Sequence, residues 1–252
     1  MQSREGDFME TGFYDIHMHI LPGVDDGSKS PDESKHMLQM AYDQGVRHIV
    51  ATPHFSVKGD NHPVDELKEK LALLQKQADE IDHSFTVSLG NELLNGPGMV
   101  EELQKGRALT MAGTRYILVE FLPSDKYQVL YHSLHEYIMA GYIPIIAHME
   151  RYEALYKNYD HIEELAKMGC YFQMNTESIV GGFLQRRAAY HRRLILDGYI
   201  QFMGSDCHGM DYRKPLMKDA LRYFGQNPDA ERILQKILNK YPETMLSDKY
   251  ID

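Results

Sequence analysis

Blocks of hydrophobic and polar positions alternate along this chain with two different periods. Short runs rich in β-branched and aromatic residues, bounded by Gly, Pro or Asp, have the length and composition of buried strands. The run YILVE is one example, and the run YIPII is another. Seven such runs predict strands over 14–19, 46–54, 85–90, 114–121, 142–148, 170–175 and 199–208.

Amphipathic segments lie between these runs and predict helices. Leucines recur at helical spacing among charged residues over 67–74, so that one face of the segment is apolar. Ser30 and Glu33 form a capping box that starts another helix, which Gly45 ends. Asp125 is expected to cap a third. The predicted helices cover 31–44, 64–82, 99–105, 125–140, 159–168, 184–196, 214–224 and 228–238.

The alternation of strands and helices predicts a parallel sheet with helices outside it. About seven strand–helix units in 252 residues favour closure of that sheet into a barrel over an open sheet. A hydrophobic content of 43% is ample for one core, and no repeat or change in composition marks an internal boundary. We therefore predict one α/β domain over 13–252, preceded by an N-terminal extension over 1–12.

Residues able to bind metal ions stand at the ends of the predicted strands, where a parallel barrel carries its chemistry. His17 and His19 are two positions apart on the first strand, so both rings point to the same face. A Pro-Gly turn after them returns Asp26 towards those rings, while we expect its neighbour Asp25 to lie outside the ligand set. The candidate metal ligands are His17, His19, Asp26, His54, Glu92, Glu120, His148, Asp206 and His208.

This set predicts a metal centre with more than one ion. A single strand-end histidine is more often a structural residue, but five histidines and four carboxylates at one barrel mouth would repel one another without cations. Nine donors exceed the four to six that one ion usually takes, which suits two or three ions. Imidazole and carboxylate without thiolate favour manganese, iron or zinc. Three divalent ions would leave a net positive charge, which a phosphate dianion complements.

Two arginines strengthen the phosphate interpretation. Arg151 and Arg213 follow predicted ligands by three and five residues, which places them in loops at the same mouth. A planar guanidinium suits phosphoryl oxygens. Cys207 and Arg213 also satisfy the Cys-x5-Arg spacing of the cysteine-dependent phosphatases, but Asp211 inside that loop would repel phosphate. We therefore expect the metal ions, and not this thiol, to carry the chemistry.

The charge of the chain limits its partners. A net charge of -10 argues against bulk affinity for nucleic acid or anionic membranes. Two cysteines give no disulfide framework, and neither a signal peptide nor an apolar run of membrane-spanning length is present, so we expect a cytoplasmic protein. One segment is basic and carries Arg186, Arg187, Arg192 and Arg193. A solvated helix face is its ordinary explanation, and docking of an acidic phosphorylated tail is the alternative.

The segment HMHILPGVDDGS, with the other candidate ligands, resembles the polymerase and histidinol phosphatase (PHP) superfamily. More closely, it is similar to the bacterial manganese-dependent tyrosine-protein phosphatases of capsule and exopolysaccharide loci, over residues 14–224. The resemblance implies a distorted (β/α)7 TIM-like barrel with three metal ions on the nine ligands named above. It also implies that Arg151 and Arg213 contact the phosphate and that metal-activated hydroxide attacks it. The implied substrate is phosphotyrosine on a tyrosine autokinase.

Other interpretations keep the barrel and change its use. The substrate could be histidinol phosphate or another small phosphoester, and the metal ions could stabilise a binding module without catalysis. The residues do not decide the native metal, the general acid or the physiological substrate protein. They also leave the oligomeric state open, and an oligomer is compatible with them.

Overall fold

The strands of this protein lie where the runs of apolar residues predict them. The computed structural model describes residues 12–181, 185–225 and 227–251. Neighbouring strands pair in parallel throughout. The strands are β1 (Phe13–Met18), β2 (Val46–Ala51), β3 (His54–Phe55), β4 (Thr86–Leu89), β5 (Glu92–Leu94), β6 (Tyr116–Glu120), β7 (Ile143–Ile146), β8 (Tyr171–Asn175) and β9 (Phe202–Gly204).

Two of the seven predicted strands are interrupted and form two segments each. Thr52 and Pro53 separate β2 from β3, and Gly90 and Asn91 separate β4 from β5. Proline has no N–H to donate, which favours a break in the ladder at that point. The pairing order is therefore β1-β2-β4 in one sheet and β3-β5-β6-β7-β8-β9 in the other. The Glu92 N–H donates to the carbonyl of Pro53 at 3.1 Å, so the two interrupted strands remain hydrogen-bonded to each other beside the gap.

Main-chain hydrogen bonds close the barrel between its first and last strands. The Asp206 N–H donates to the carbonyl of His17 at 2.8 Å, and the His19 N–H donates to the carbonyl of Cys207 at 3.0 Å. These bonds join the segment after β9 to β1. With β2 and β3 counted as one strand, and β4 and β5 as another, seven strands form a closed ring without a free edge. The prediction of a closed α/β barrel is confirmed.

Helices cover the outside of the barrel at the predicted places. Among the described residues, no helix combines the length and the apolar composition that crossing a membrane requires. Ser30 caps the first helix, because its hydroxyl accepts a hydrogen bond from the Glu33 N–H at 3.2 Å. The helices are α1 (Pro31–Asp43), α2 (Val64–Ile81), α3 (Met99–Gln104), α4 (Tyr127–Met139), α5 (Tyr159–Met168), α6 (Arg186–Leu196), α7 (Met217–Leu221), α8 (Pro228–Gln235) and α9 (Tyr241–Leu246).

Several helix boundaries differ from the predictions. Asp125 does not cap α4, because its carboxylate accepts from the Leu122 N–H at 3.0 Å and closes a turn before the helix starts. The helix predicted over 214–224 is reduced to α7 and one further turn. The last helix continues beyond its predicted end through a wider turn at Lys236–Lys240 into α9. Leu184, and residues 1–11 of the predicted extension, lie outside the described residues.

The apolar core leaves only one end of the barrel for polar residues. Buried residues from five strands pack into a cluster inside the barrel, among them Ile16, Val50, Leu118, Ile145 and Phe202. Met245 of α9 joins this cluster, and the hydroxyl of Tyr116, at the start of β6, donates to the carbonyl of Lys249 at 2.6 Å. The C-terminal residues therefore cover the amino ends of the strands. The carboxyl ends remain open for a functional site.

Candidate metal centre

His17 and His19 present their Nε2 atoms to one small space at the end of β1. His17 Nδ1 lies 3.1 Å from Oε1 of Gln173, and His19 Nδ1 lies 2.8 Å from Oδ2 of Asp25. Because these oxygens can only accept, each Nδ1 carries the hydrogen. With one proton per ring, both Nε2 atoms direct lone pairs inward, and they are 3.2 Å apart. Such an approach of two acceptors indicates a cation-binding position.

Glu92, at the start of β5, is the carboxylate at the centre of this space. Its Oε1 lies 2.8 Å from His148 Nε2 and 3.3 Å from His17 Nε2. Its Oε2 lies 3.0 Å from His54 Nδ1 and 3.2 Å from His19 Nε2. The side chain is 1% exposed, so desolvation opposes its charge, and the surrounding imidazoles nevertheless hold its pKa well below the ordinary value. One buried carboxylate thus contacts ring nitrogens of four histidines.

The candidate ligands form three overlapping groups, and the candidate ligand atoms of each group lie within 4.8 Å of one another. Glu92, His19 and His54 each belong to two groups, so the groups share members. His148, which is in none of them, lies 2.8 Å from Glu92 and 3.4 Å from Glu120. The groups are His17, His19, Glu92 and Asp206; His54, Glu92 and Glu120; and His19, Asp26, His54 and His208. The structure therefore brings all nine predicted ligands together.

The chemistry of this donor set fits divalent cations. Burial lowers the pKa of His19, but Asp25 and Glu92 outweigh burial and raise it to about 10. Burial likewise opposes the charge of His148, and Glu120 and Glu92 raise its pKa to about 9. The cluster therefore attracts positive charge strongly, as protons or as metal ions. Imidazole and carboxylate donors without thiolate are the set that manganese, iron and zinc accept.

Asp206 connects the cluster to both predicted arginines. Its Oδ1 lies 3.6 Å from His17 Nε2 and 3.5 Å from His19 Nε2. Its Oδ2 lies 2.5 Å from Arg151 Nη2 and 3.4 Å from Arg213 Nη1. The two guanidinium groups thus stand beside the cluster, where they can hold the oxygens of an anion.

A cleft of about 490 Å³ beside Asp26, His208 and Arg213 gives access from solvent.

The backbone of the mouth is strained and tightly packed. His148, Asp206 and Arg213 have positive φ angles of 29°, 51° and 48°, a backbone conformation that residues other than glycine rarely adopt. A Cβ atom at Gly27 would lie 2.1 Å from the carbonyl of His19, and one at Gly204 would lie 2.5 Å from the Cβ of His17. Only glycine allows these approaches. The surrounding fold therefore fixes the backbone that carries the ligands.

A layer of polar residues outside the ligand set orients it. Gln173 accepts from the His148 N–H at 2.7 Å as well as from His17, and its amide donates to Asn175 Oδ1 at 2.9 Å. Asn175 in turn donates to Asp206 Oδ2 at 2.8 Å. Sequence reasoning missed both residues, although their two-residue spacing at the end of a predicted strand was a usable signal. Such outer partners fix the direction of metal ligands.

Asp25, which the sequence predicts to lie outside the ligand set, contacts the segments that carry the predicted ligands. Besides its contact with His19, its Oδ2 accepts from the His54 N–H at 3.1 Å, and its Oδ1 accepts from the Gly27 N–H at 3.0 Å. These contacts of the carboxylate are with the segments that carry predicted ligands, so it holds these segments together.

Cys207 is not placed as a nucleophile. The residue is fully buried, and its thiol donates to the carbonyl of Gly209 at 3.4 Å. Burial raises the pKa of this thiol to about 12, so that almost no thiolate forms near neutral pH. The Cys-x5-Arg spacing is therefore a coincidence, and the geometry favours the metal centre.

Known proteins resemble this chain along nearly its whole length. Tyrosine-protein phosphatase CpsB of Streptococcus pneumoniae is 32% identical over 245 residues, which cover 94% of this chain and 99% of that protein. Tyrosine-protein phosphatase YwqE of Bacillus subtilis is 31% identical over 241 residues, which cover 94% of this chain and 92% of that protein.

Solved structures agree with these relatives. A crystal structure from work on YwqE of Bacillus subtilis and CpsB of Streptococcus pneumoniae, described as unique metal-dependent tyrosine phosphatases, superposes with a TM-score of 0.84. Its sequence is 28% identical, and the match covers 95% of this chain and 96% of that one. The phosphotriesterase homology protein of Escherichia coli has a TM-score of 0.60 at 12% identity, which shows the shared barrel fold alone.

The sequence profile of a family described as capsular polysaccharide synthesis, CpsB/CapC, matches residues 13–247. This range contains every candidate ligand and both arginines of the mouth. The chain therefore belongs to the CpsB/CapC family.

Proposed function

We propose that this chain is a metal-dependent protein-tyrosine phosphatase that hydrolyses phosphotyrosine with the help of its metal ions. The observation that carries the proposal is the convergence of nine imidazole and carboxylate side chains with two arginines at one end of the barrel, beside a cleft lined by Asp26, His208 and Arg213. Relatives about 30% identical over most of the chain are named tyrosine-protein phosphatases, which supports the substrate class.

The proposed centre holds three divalent ions, and manganese is the first choice ahead of iron and zinc. The three overlapping groups of donors support this number, since each group offers three or four ligands. Shared members such as Glu92 allow neighbouring ions to be bridged. The proposed ligands are His17, His19, Asp26, His54, Glu92, Glu120, His148, Asp206 and His208.

The residues of the chain perform three tasks in the proposed reaction. The nine ligands hold the cations, which when bound act as Lewis acids and lower the pKa of water. Arg151 and Arg213 bind the phosphoryl oxygens and stabilise the charge that develops on them. Asp206 positions both guanidinium groups through its Oδ2. Because a phenol with a pKa of about 10 is a good leaving group, the reaction needs little acid assistance.

The proposed physiological substrate is a phosphotyrosine protein of capsular or exopolysaccharide synthesis, in particular a tyrosine autokinase. The family description, which concerns capsular polysaccharide synthesis, supports this assignment. The acidic chain, with a net charge of -10, makes a nucleic-acid substrate a poor fit.

Removal of the metal ions tests the proposal. We expect chelation to lower the rate on a phosphotyrosine peptide by at least about a hundredfold, and manganese to restore it, because the ligands alone cannot activate water. The metal content is measured by mass spectrometry in parallel. Activity that persists in metal-free protein would sink the proposal.

Two further substrates separate the alternatives. A higher kcat/KM for histidinol phosphate than for the peptide would identify a small-molecule phosphoesterase of the same fold. Binding of a phosphotyrosine peptide to the manganese-loaded protein, with no phosphate released, would identify a binding module without catalysis.

A further inference from the structure

A second cavity, of about 660 Å³, opens beside Arg151. Its polar lining comes from three places: the turn that follows β7, the turn that follows β8, and the first half of α6 with the residue before it. Pro123 and Val180 add apolar surface. We call this cavity the rim pocket and define it by Glu150, Arg151, Ser178, Arg186, Arg187 and His191.

Arg151 belongs to the metal centre and to the rim pocket at once. Its guanidinium reaches Asp206 on one side, and the residue lines the rim pocket on the other. A phosphoryl group held by Arg151 would therefore stand at the edge of the rim pocket. The residues of a substrate peptide that flank a bound phosphotyrosine can enter the rim pocket, whereas a small phosphoester has no group to place there.

The four arginines of α6 divide into two pairs. Arg192 donates to the carbonyls of Ile179 and Gly181 at 2.6 and 3.1 Å, and Arg193 donates to Asp197 at 2.8 Å. This second pair is engaged within the protein. The expectation of a solvated helix face therefore fails for Arg192, which is tied to the preceding loop.

The first pair, Arg186 and Arg187, lines the rim pocket and is exposed. Within the described residues, Arg186 has neither a hydrogen bond nor an ion pair, and the guanidinium of Arg187 lies 4.9 Å from the centre of the Tyr156 ring. No side chain among the described residues caps α6, and the N–H groups of its first turn add positive potential. This end of the rim pocket suits an anion.

Two buried polar atoms of the lining also lack partners among the described residues: Glu150 Oε2 and His191 Nε2. Glu150 uses its other oxygen to accept from the Asn175 N–H at 3.0 Å and from the Ser178 hydroxyl at 2.6 Å. His191 uses Nδ1 to donate to the carbonyl of Ser178 at 2.9 Å. Buried polar atoms are nearly always paired, so these two give the lining unused hydrogen-bonding capacity beside the arginines.

The combination fits a peptide better than a free anion. Three arginines and one carboxylate give the described polar lining a positive balance, which favours an acidic side chain. The unpaired carboxylate oxygen of Glu150 needs a donor, and a peptide main chain brings N–H groups next to its side chains. Free phosphate at neutral pH offers mainly acceptors and would leave Glu150 opposed by a like charge.

We infer that the rim pocket binds the residues next to the phosphotyrosine and selects a substrate with an acidic side chain there. The inference rests on the proposed phosphatase function and adds a peptide specificity to it. Arg186 and Arg187 contact the acidic side chain, and Glu150 and His191 face the polar main chain. These residues set the affinity for peptide and not the chemistry at the metal centre.

A pair of phosphotyrosine peptides that differ only in Glu or Gln beside the phosphotyrosine tests the inference. We expect wild-type protein to have a KM about five- to tenfold lower for the Glu peptide, because partly exposed charged contacts are worth that much. The doubly substituted variant Arg186→Gln/Arg187→Gln should lose this preference. It should hydrolyse para-nitrophenyl phosphate at the wild-type rate.

Arg193→Gln is the control for loss of positive charge on the same helix, because Arg193 lies outside the described lining of the rim pocket. It should keep the preference for the Glu peptide. Equal KM values for both peptides in the wild type, or an equal loss of preference in the control, would overturn the inference while the phosphatase function stood. Failure of the manganese-loaded wild type to hydrolyse either peptide would instead overturn the proposed function, and the inference with it.

Discussion

The metal centre and the rim pocket lie on either side of Arg151 and are built from side chains of opposite charge. The metal centre contains hydrogen-bond acceptors, four carboxylates among them. Asp25 and Gln173 fix the directions of two of its histidine rings. The rim pocket gathers arginines, of which Arg186 makes no ion pair among the described residues. The difference supports the two proposals: cations for the first region, and an acidic peptide for the second.

The two regions also differ in how firmly their side chains are held. Most ligands of the metal centre follow strands whose ladders close the barrel, and Glu92 and Asp206 are each 1% exposed. Arg186 and Arg187 begin a helix and are exposed. Fixed ligands suit metal ions, which require set directions, whereas movable arginines suit peptides of varied sequence. Substitutions in the two regions should therefore have different consequences.

The largest effect is expected from Glu92→Gln, at the centre of the cluster. The amide keeps the shape but loses the charge, which leaves four histidines around a neutral group. We expect kcat to fall at least about a hundredfold on peptides and on small phosphoesters alike, since loss of an outer partner alone costs up to that much. Mass spectrometry should show fewer bound metal ions per chain. Retention of the wild-type metal content and activity would contradict a central role for Glu92.

A smaller effect is expected from Asp25→Asn, outside the ligand set. The amide can still accept from the His19 ring, but it no longer raises the basicity of that ring. We expect the affinity for manganese to fall about ten- to a hundredfold, measured by titration of the metal-free protein. The exposed Asp60→Asn change is the matched control and should leave the affinity unaltered. An unchanged affinity in Asp25→Asn would show that this carboxylate does not support the centre.

The smallest effect is expected from Cys207→Ser, between two predicted ligands. Because burial raises the pKa of this thiol to about 12, the thiolate population stays negligible between about pH 7 and 9. Alkylation by iodoacetamide over that range should therefore remain slow in the native protein, as followed by mass spectrometry. The variant should keep kcat within about threefold, because the volume is nearly conserved. Loss of all activity with full metal content would restore the thiol as the nucleophile.

Much of this molecule could be predicted from local sequence patterns. The strand positions followed from short β-branched runs, and the ligands followed from polar residues at their carboxyl ends, since each signal lies within a few residues. The cap at Asp125 was predicted wrongly, because a carboxylate that closes a turn and one that caps a helix have the same sequence signature. The sequence indicates the interruption between β2 and β3 only through a proline near the end of the predicted strand.

Contacts between distant segments could not be predicted in this way. Gln173 and His17 are 156 residues apart, and nothing local to either indicates that one orients the other. The division of the arginines of α6 is similar, because all four are the same residue type on one helix. Which of them is exposed beside the rim pocket depends on how the helix packs against the loop at Ile179 and Gly181.

The sequence by itself determined the alternation of strands and helices and the residue types at the strand ends, and thereby the chemistry proposed for the centre. These features are local, because the side-chain period of a strand and the residues that end it are set by neighbouring positions. Only the tertiary structure decided that Glu92 lies among four histidines, that Asp206 joins two of them to both arginines, and that Arg151 also lines the rim pocket. Closure of the barrel brings these residues together from strands far apart in the chain, and that closure is a property of the whole fold.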